Sequence, residues 1–229
     1  MQIKRPEGEY VRILVLRTVG NFFILASLLG VFLTFYPVIE AEVKYRVSLI
    51  RGETFIVEGD TVLKPTPGAL STVNAKPTPE TIVPVDREFG IVIPKINANV
   101  KVIPDVDAGN YTEYMAALKQ GVAHAKGTVY PGMVGNSFLF AHSVGNFWEV
   151  NRYNAVFYLL KELDNGDLIV MFWHGKRYDY IVTDKKTVDP TEVGYLNSIS
   201  NYPMLTLQTC WPPGTTLKRL LVFAKLKGI

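Results

Sequence analysis

The single cysteine of this 229-residue chain, Cys210, closes the run Leu205-Thr206-Leu207-Gln208-Thr209-Cys210, and Arg219 follows nine positions later. With no second cysteine, an intrachain disulfide is excluded. The run before Cys210 alternates as a strand does. Trp211-Pro212-Pro213-Gly214 then interrupts regular structure, and a second strand-like run, Leu217 to Leu226, carries the arginine. A thiol at a strand end facing a cation is a place where a thiolate can form and act as a nucleophile. By residue type alone, the competing reading is an inert buried cysteine. The acid–base candidates are His124, His142 and His174. One cysteine and three scattered histidines offer no zinc-ligand spacing. Asp105, Asp107 and Glu149 are too scattered to argue for a cation site.

The elements that must position these residues are short. Gly90–Ile96 and Val100–Pro104 read as strands, the first with its proline at an edge or bulge. Tyr111–Leu118 has helical spacing with Asn110 at its start. Tyr130-Pro131-Gly132 and Gly135-Asn136 are turn signals, and Ser137–His142 is an apolar strand ending at a histidine. Asn154–Leu163 suits a helical turn or two. Leu168–Trp173 and Arg177–Thr183 are strands joined by a His174-Gly175 hairpin turn, which makes His174 an exposed loop residue. Thr187–Pro190, Met204–Thr209 and Leu217–Leu226 complete the set. The pattern predicts an all-β fold with short helices, a closed barrel of seven or eight strands.

Ahead of the barrel, Thr18–Ile39 is a run of 22 residues without a formal charge, rich in Phe, Leu, Ile and Val. About 20 apolar residues cross a bilayer core as a helix. Lys4, Arg5, Arg12 and Arg17 precede the run, so the positive-inside rule places the N-terminus in the cytoplasm and the remainder outside, as a single-pass plasma-membrane protein. A cleaved signal peptide is the alternative, although the apolar run exceeds the length of a signal core. Glu53–Glu58 reads as a short strand or as linker. Pro65, Pro67, Pro77, Pro79 and Pro84, interleaved with Thr, Ser and Ala, read as an extended stalk. A net charge of +3 gives no argument for nucleic acid.

The segment Thr206-Leu207-Gln208-Thr209-Cys210 with Arg219 resembles the TLxTC…R signature of the sortases. Gly121-Val122-Ala123-His124, Pro131-Gly132, Gly135-Asn136 and Phe138-Leu139-Phe140-Ala141-His142-Ser143 resemble the sortase stretch that ends in the catalytic histidine. Leu160, Leu163, Gly166 and Asp167 match the family's turn before its next strand. The resemblance covers about residues 89–226. Sortases commonly carry Gly before the catalytic histidine, where this chain has Ala141. The Cys-to-Arg spacing and Pro212 look more like classes C, D and E than class A. No lid motif of the DPW or DPF kind stands in the linker.

The resemblance implies a sortase-type barrel and four segments: a cytoplasmic tail (1–17), a transmembrane anchor (18–39), an extracellular linker (40–86) and a catalytic domain (87–229). It implies a cysteine transpeptidase with Cys210 as nucleophile, His142 rather than His124 as acid–base, and Arg219 as oxyanion or substrate support. Thr209, Trp211 and Trp148 are supporting candidates, and no metal or cofactor is called for. The implied substrates are exported proteins with a C-terminal LPxTG-like sorting signal. The implied acceptor is an amine, on a lipid-linked peptidoglycan precursor or a pilin lysine. A thiol hydrolase using water and a non-catalytic tethered barrel remain the alternatives.

Overall fold

A computed structural model describes residues 7–59, 79–143, 157–196 and 199–228. The chain falls into two compact units, residues 1–40 and 41–229. The first is helical. Its helix, α1 (Glu7–Arg51), contains a span, Gly8–Leu33, that is long and apolar enough to cross a membrane. Two hydroxyls on this unit turn back onto their own helix: Thr18 Oγ1 donates to the Leu14 carbonyl at 2.9 Å, and Ser27 Oγ to that of Phe23 at 2.7 Å. Such internal bonds remove the cost of polar groups in an apolar surrounding.

In the second unit, the last turns of α1 lie against the barrel. Tyr45 joins the main core at 7% exposure, and Lys161 donates to Glu42 at 3.2 Å. Part of the span expected as linker therefore carries regular structure. Strand β1 (Phe55–Val57) follows the helix and pairs in parallel with β2 (Glu80–Ile82). Residues 60–78, with Pro65, Pro67 and Pro77, lie outside the described residues.

Eight strands then close a barrel: β3 (Phe89–Ile93), β4 (Ala98–Val106), β5 (Val122–Ala125), β6 (Gly135–Phe140), β7 (Leu168–Trp173), β8 (Lys176–Val188), β9 (Pro203–Trp211) and β10 (Lys218–Leu226). Around the barrel the order is β10-β8-β7-β3-β4-β5-β6-β9. Closure leaves no unpaired edge. The pairs β4–β5 and β6–β9 are parallel and the others antiparallel. The parallel pair β4–β5 needs a crossover, and helix α2 (Tyr111–Leu118) makes it, with Asn110 Oδ1 accepting from the Glu113 N–H at 3.3 Å as its N-cap.

Burial explains the strand patterns. All five residues of β3 are buried because its two faces are both covered. Ile91 and Ile93 enter the main core, while Val92 joins Val170 and Phe172 under Val57 and Ile82 of the β1–β2 pair. The His174-Gly175 turn has both residues at positive φ, the geometry of a two-residue hairpin loop. Thr187 and Val188, expected to start a separate strand, are the end of the 13-residue β8, which bridges β7 and β10. Asn136, expected in a turn, is a strand residue 5% exposed. It accepts from Thr206 Oγ1 at 2.8 Å and donates to the Tyr195 carbonyl at 3.1 Å, so the strand can bury it. The Pro131-Gly132 turn needs its glycine. The φ there is +84°, a Cβ would sit 2.2 Å from the Tyr178 ring, and the Gly132 N–H donates to the buried Tyr180 hydroxyl at 2.8 Å.

His124 lies wholly inside, on β5. Its ring stacks on Tyr130 at 4.8 Å, and Tyr130 stacks on Trp173 at 4.2 Å. The Asp105 N–H donates to Nδ1 at 3.4 Å, which leaves Nε2 as the protonated nitrogen facing the Val129 carbonyl at 3.2 Å. Burial lowers the pKa of His124, opposed by the Val129 carbonyl and by Asp105, so the folded protein holds it neutral. The unfolded chain, with an ordinary value near 6.5, binds the proton more readily. The stability this contributes is present above that value and falls away as pH drops below it. Urea midpoints of the wild type are expected to decline between pH 7.5 and pH 5.5 more steeply than those of His124→Asn. Equal slopes would remove His124 as the cause.

Candidate active site

Strand registers assemble the site. On β6 and β9 the partners run from Gly135↔Pro203 to Phe140↔Gln208, a constant offset of 68 residues. The ladder continues past the end of β6, where the Ala141 N–H donates to the Gln208 carbonyl at 3.1 Å and Thr209 Oγ1 donates to the Ala141 carbonyl at 3.1 Å. At the same offset, His142 comes level with Cys210. On the other side of β9, the antiparallel register with β10 sets Arg219 directly opposite Cys210. Directly opposed residues share a face of the sheet, with Cβ atoms about 4.5–5.5 Å apart. Three neighbouring strands thus bring His142, Cys210 and Arg219 to the same end of the barrel.

Alternation fixes the face. Leu205 and Leu207 on β9, and Leu220 and Val222 on β10, point into the main core. Cys210 and Arg219 fall on the opposite parity. They share that face with Phe138 and Leu221, which form a second cluster against Tyr195 and Leu196. All three residues of the constellation are partly buried. Each is therefore sheltered by the sheet yet open to a bound chain.

The guanidinium is held by one nitrogen. Arg219 Nη1 donates to the carbonyls of Thr216 and Lys218, both at 3.1 Å. That leaves Nε and Nη2 with no partner among the described residues. A fork fixed at one tine can present the others to an oxyanion or a peptide carbonyl.

The supporting candidates separate. Thr209 is 3% exposed, and its hydroxyl holds the segment leading to His142. Thr209→Val is expected to cost about 1 kcal/mol in chemical unfolding, with a larger fractional loss in any His142-dependent step. An unchanged unfolding midpoint would show that the Ala141 carbonyl is not held by this bond. Trp211 is partly buried against the main core. Trp148 lies outside the described residues, as does Glu149. Asp105 accepts from the Tyr130 hydroxyl at 2.6 Å, and Asp107 caps its own loop through the Gly109 N–H at 2.8 Å. His124 stands in the core stack described above, and His174 is 69% exposed beside Glu88. Among the described residues, no group of three His, Cys, Asp or Glu side chains is arranged to hold a metal ion.

One residue beside the site carried no sequence signal. Tyr114, on α2, lies within electrostatic reach of both Cys210 and Arg219. The helix was legible in the sequence, but which of its faces packs on β4 and β5 was not.

A closed mixed barrel brings a thiol, an imidazole and a guanidinium to adjacent strand ends, a set that could carry acyl transfer through a cysteine. The comparisons with known proteins narrow the class. The Sortase domain family model matches residues 91–227. Sortase C-1 from Actinomyces oris is 28% identical over 63% of this chain and 77% of its own, with a TM-score of 0.53. A lid mutant of sortase A from Corynebacterium diphtheriae is 26% identical over 63% and 72%, with a TM-score of 0.52. A Clostridium perfringens sortase C, solved with the C-terminal cell wall sorting motif, is 28% identical over 61% and 70%, with a TM-score of 0.50. No curated protein sequence matches the chain. The chain belongs to the sortase family of cysteine transpeptidases.

Proposed function

We propose that this protein is a membrane-anchored transpeptidase that cleaves an LPxTG-like sorting signal and passes the exported protein to an amine acceptor. The observation that supports this reading best is the register that opposes Cys210 and Arg219 with His142 level beside them. The Cys210 thiolate attacks the carbonyl after the threonine of the signal. The tetrahedral oxyanion is met by Arg219 through Nε and Nη2. As the peptide C–N bond breaks, protonated His142 gives its proton to the leaving amine, and a thioester to Cys210 remains. The acceptor amine then gives a proton to neutral His142 and attacks the thioester. The new amide forms, and the thiolate departs.

The acceptor is a lipid-linked peptidoglycan precursor or a lysine of another surface protein. The apolar span Gly8–Leu33 anchors the enzyme, with the basic residues Lys4, Arg5, Arg12 and Arg17 on the cytoplasmic side and the barrel outside. Enzyme, substrate tail and lipid-linked acceptor then share one membrane plane, which raises their effective concentration.

The test uses the full chain in detergent micelles with an LPxTG-containing peptide, read by intact mass with and without an added amine. A covalent adduct on Cys210 that converts to amine-ligated peptide is the expected result. An adduct that yields only hydrolysed peptide under saturating amine would make the enzyme a thiol hydrolase. No adduct across a panel of related motifs would overturn the substrate assignment.

A further inference from the structure

A peptide that acylates Cys210 must lie on the outer face of the barrel, because the inner face is filled by the main core. The strand registers show what it meets there. Gln208 precedes Cys210 by two residues on β9, so the two side chains share that face about 7 Å apart along the strand. Gln208 stands directly opposite Phe140 on β6 and Leu221 on β10, one row below His142, Cys210 and Arg219. One row further on, Phe138 and Thr206 are buried, and Tyr195 and Leu196 pack over that end of the face. Asn136 holds them there by donating to the Tyr195 carbonyl at 3.1 Å. Phe140 and Gln208 are only partly buried. The open surface between Tyr195 and Cys210 therefore has Gln208 on its floor.

The amide of Gln208 is the unusual part. Asn99 and Asn136, the other sheltered side-chain amides among the described residues, each make two hydrogen bonds. Asn136 accepts from Thr206 and donates to Tyr195. Asn99, on β4, accepts from the Val85 N–H at 2.9 Å and donates to the Val83 carbonyl at 2.7 Å, so its one side chain satisfies two backbone groups of a neighbouring segment. The Gln208 side chain makes no hydrogen bond among the described residues. Its backbone is spoken for, since its carbonyl accepts from the Ala141 N–H. A primary amide carries a donor and an acceptor side by side, the same pair that a peptide unit presents.

We propose that Gln208 is a substrate-contacting residue, its side-chain amide pairing with the backbone of the sorting peptide on the acyl side of the scissile bond, as Asn99 pairs with residues 83 and 85. This rests on the transpeptidase reading above and adds a binding contact on β9 itself. The contact is to the peptide and not to the thiol, so it acts on the capture of substrate and leaves the reactivity of Cys210 alone.

Gln208→Leu keeps the bulk of the side chain and removes both polar atoms, while the backbone bond to Ala141 stays. In the full chain in detergent, the second-order rate of adduct formation with LPxTG peptide is measured by intact mass for wild type and variant. The same is done with three ester analogues, in which the backbone N–H of the leucine, of the variable residue and of the threonine is replaced in turn by oxygen. The variant is expected to acylate about tenfold more slowly, the worth of hydrogen bonds lost in a sheltered site. One ester is expected to slow the wild type by a similar factor and the variant hardly at all, because the two changes remove the same contact. Alkylation of Cys210 by iodoacetamide across pH and the melting temperature are expected to be unchanged. Acylation of the variant at the wild-type rate would overturn the inference alone. So would esters that slow both proteins equally, since the effect of Gln208 would then not pass through the peptide backbone, and so would a shifted alkylation profile, since the amide would then act on the thiol. A wild type that forms no adduct with any sorting peptide would bring down the functional reading, and this inference with it.

Discussion

Cys210→Ala is expected to abolish the covalent adduct and lower amine ligation by roughly 10³-fold or more. Alanine leaves no atom that can form the acyl bond, so the reaction loses its two-step route rather than a fraction of its rate. The fold should be indifferent. Cys210 is only partly buried near the end of β9, and the ladder around it is carried by backbone groups and by Thr209. Melting temperatures of wild type and variant should therefore agree. Cys210→Ser separates nucleophile from shape, since it keeps the size of the side chain but replaces the thiol by a far less acidic hydroxyl, and it should be nearly as inactive. Residual ligation near the wild-type rate in Cys210→Ala would mean that the chemistry lies elsewhere, and intact mass would show no label at this position.

The second large effect concerns Arg219. Arg219→Ala is expected to reduce kcat by about 10²–10³-fold, the usual consequence of removing one donor from a developing oxyanion. Arg219→Lys should recover little of it. The arginine spends Nη1 on the carbonyls of Thr216 and Lys218 and has two further nitrogens to offer. A lysine ammonium is a single point of charge and cannot be pinned by one nitrogen while presenting another. Steady-state kinetics on the full chain decide the matter. A loss confined to KM, with kcat intact, would make Arg219 a binding residue that meets substrate and transition state alike. In the Cys210→Ala background, Arg219→Ala should cost almost nothing more, because residues acting as one unit are not additive.

Arg219 illustrates what pattern alone can reach. Its run and that of Cys210 were legible as two strands separated by Trp211-Pro212-Pro213-Gly214, and two adjacent strands joined by a turn commonly pair. The pairing of residue 210 with 219 was not legible, because a one-residue slip exchanges the faces of a strand and nothing local forbids it. The register is set by burial: Leu220 and Val222 must enter the core, as must Leu205 and Leu207, and that places Cys210 and Arg219 together on the other side. His142 shows the same division. The strand before it was evident from its apolar run, yet its partner strand β9 lies more than sixty residues on, and only the parallel ladder and the Thr209–Ala141 bond bring the two ends level.

Other elements were less legible for the same reason. Asn136 has the residue type of a turn and became a buried strand position because Thr206, seventy residues away, supplies its acceptor's partner. Residues 53–58 were ambiguous between strand and linker, since a three-residue strand is too short for alternation to declare itself. Its pairing with β2 and the cover it gives Val92 and Phe172 are long-range facts.

By itself, the amino-acid sequence determined what depends on local chemistry and composition: an apolar N-terminal span, a β-rich domain of short strands, the Asn110-capped helix, the hairpin at His174-Gly175, and a thiol and guanidinium of suitable type. Only the tertiary structure decided which residues meet. Closure of the barrel in the order β10-β8-β7-β3-β4-β5-β6-β9 set the registers and buried His124. The physical reason is that side-chain type and periodicity are properties of a segment. The face and register of a strand are chosen by the total apolar surface that the whole barrel can bury at once.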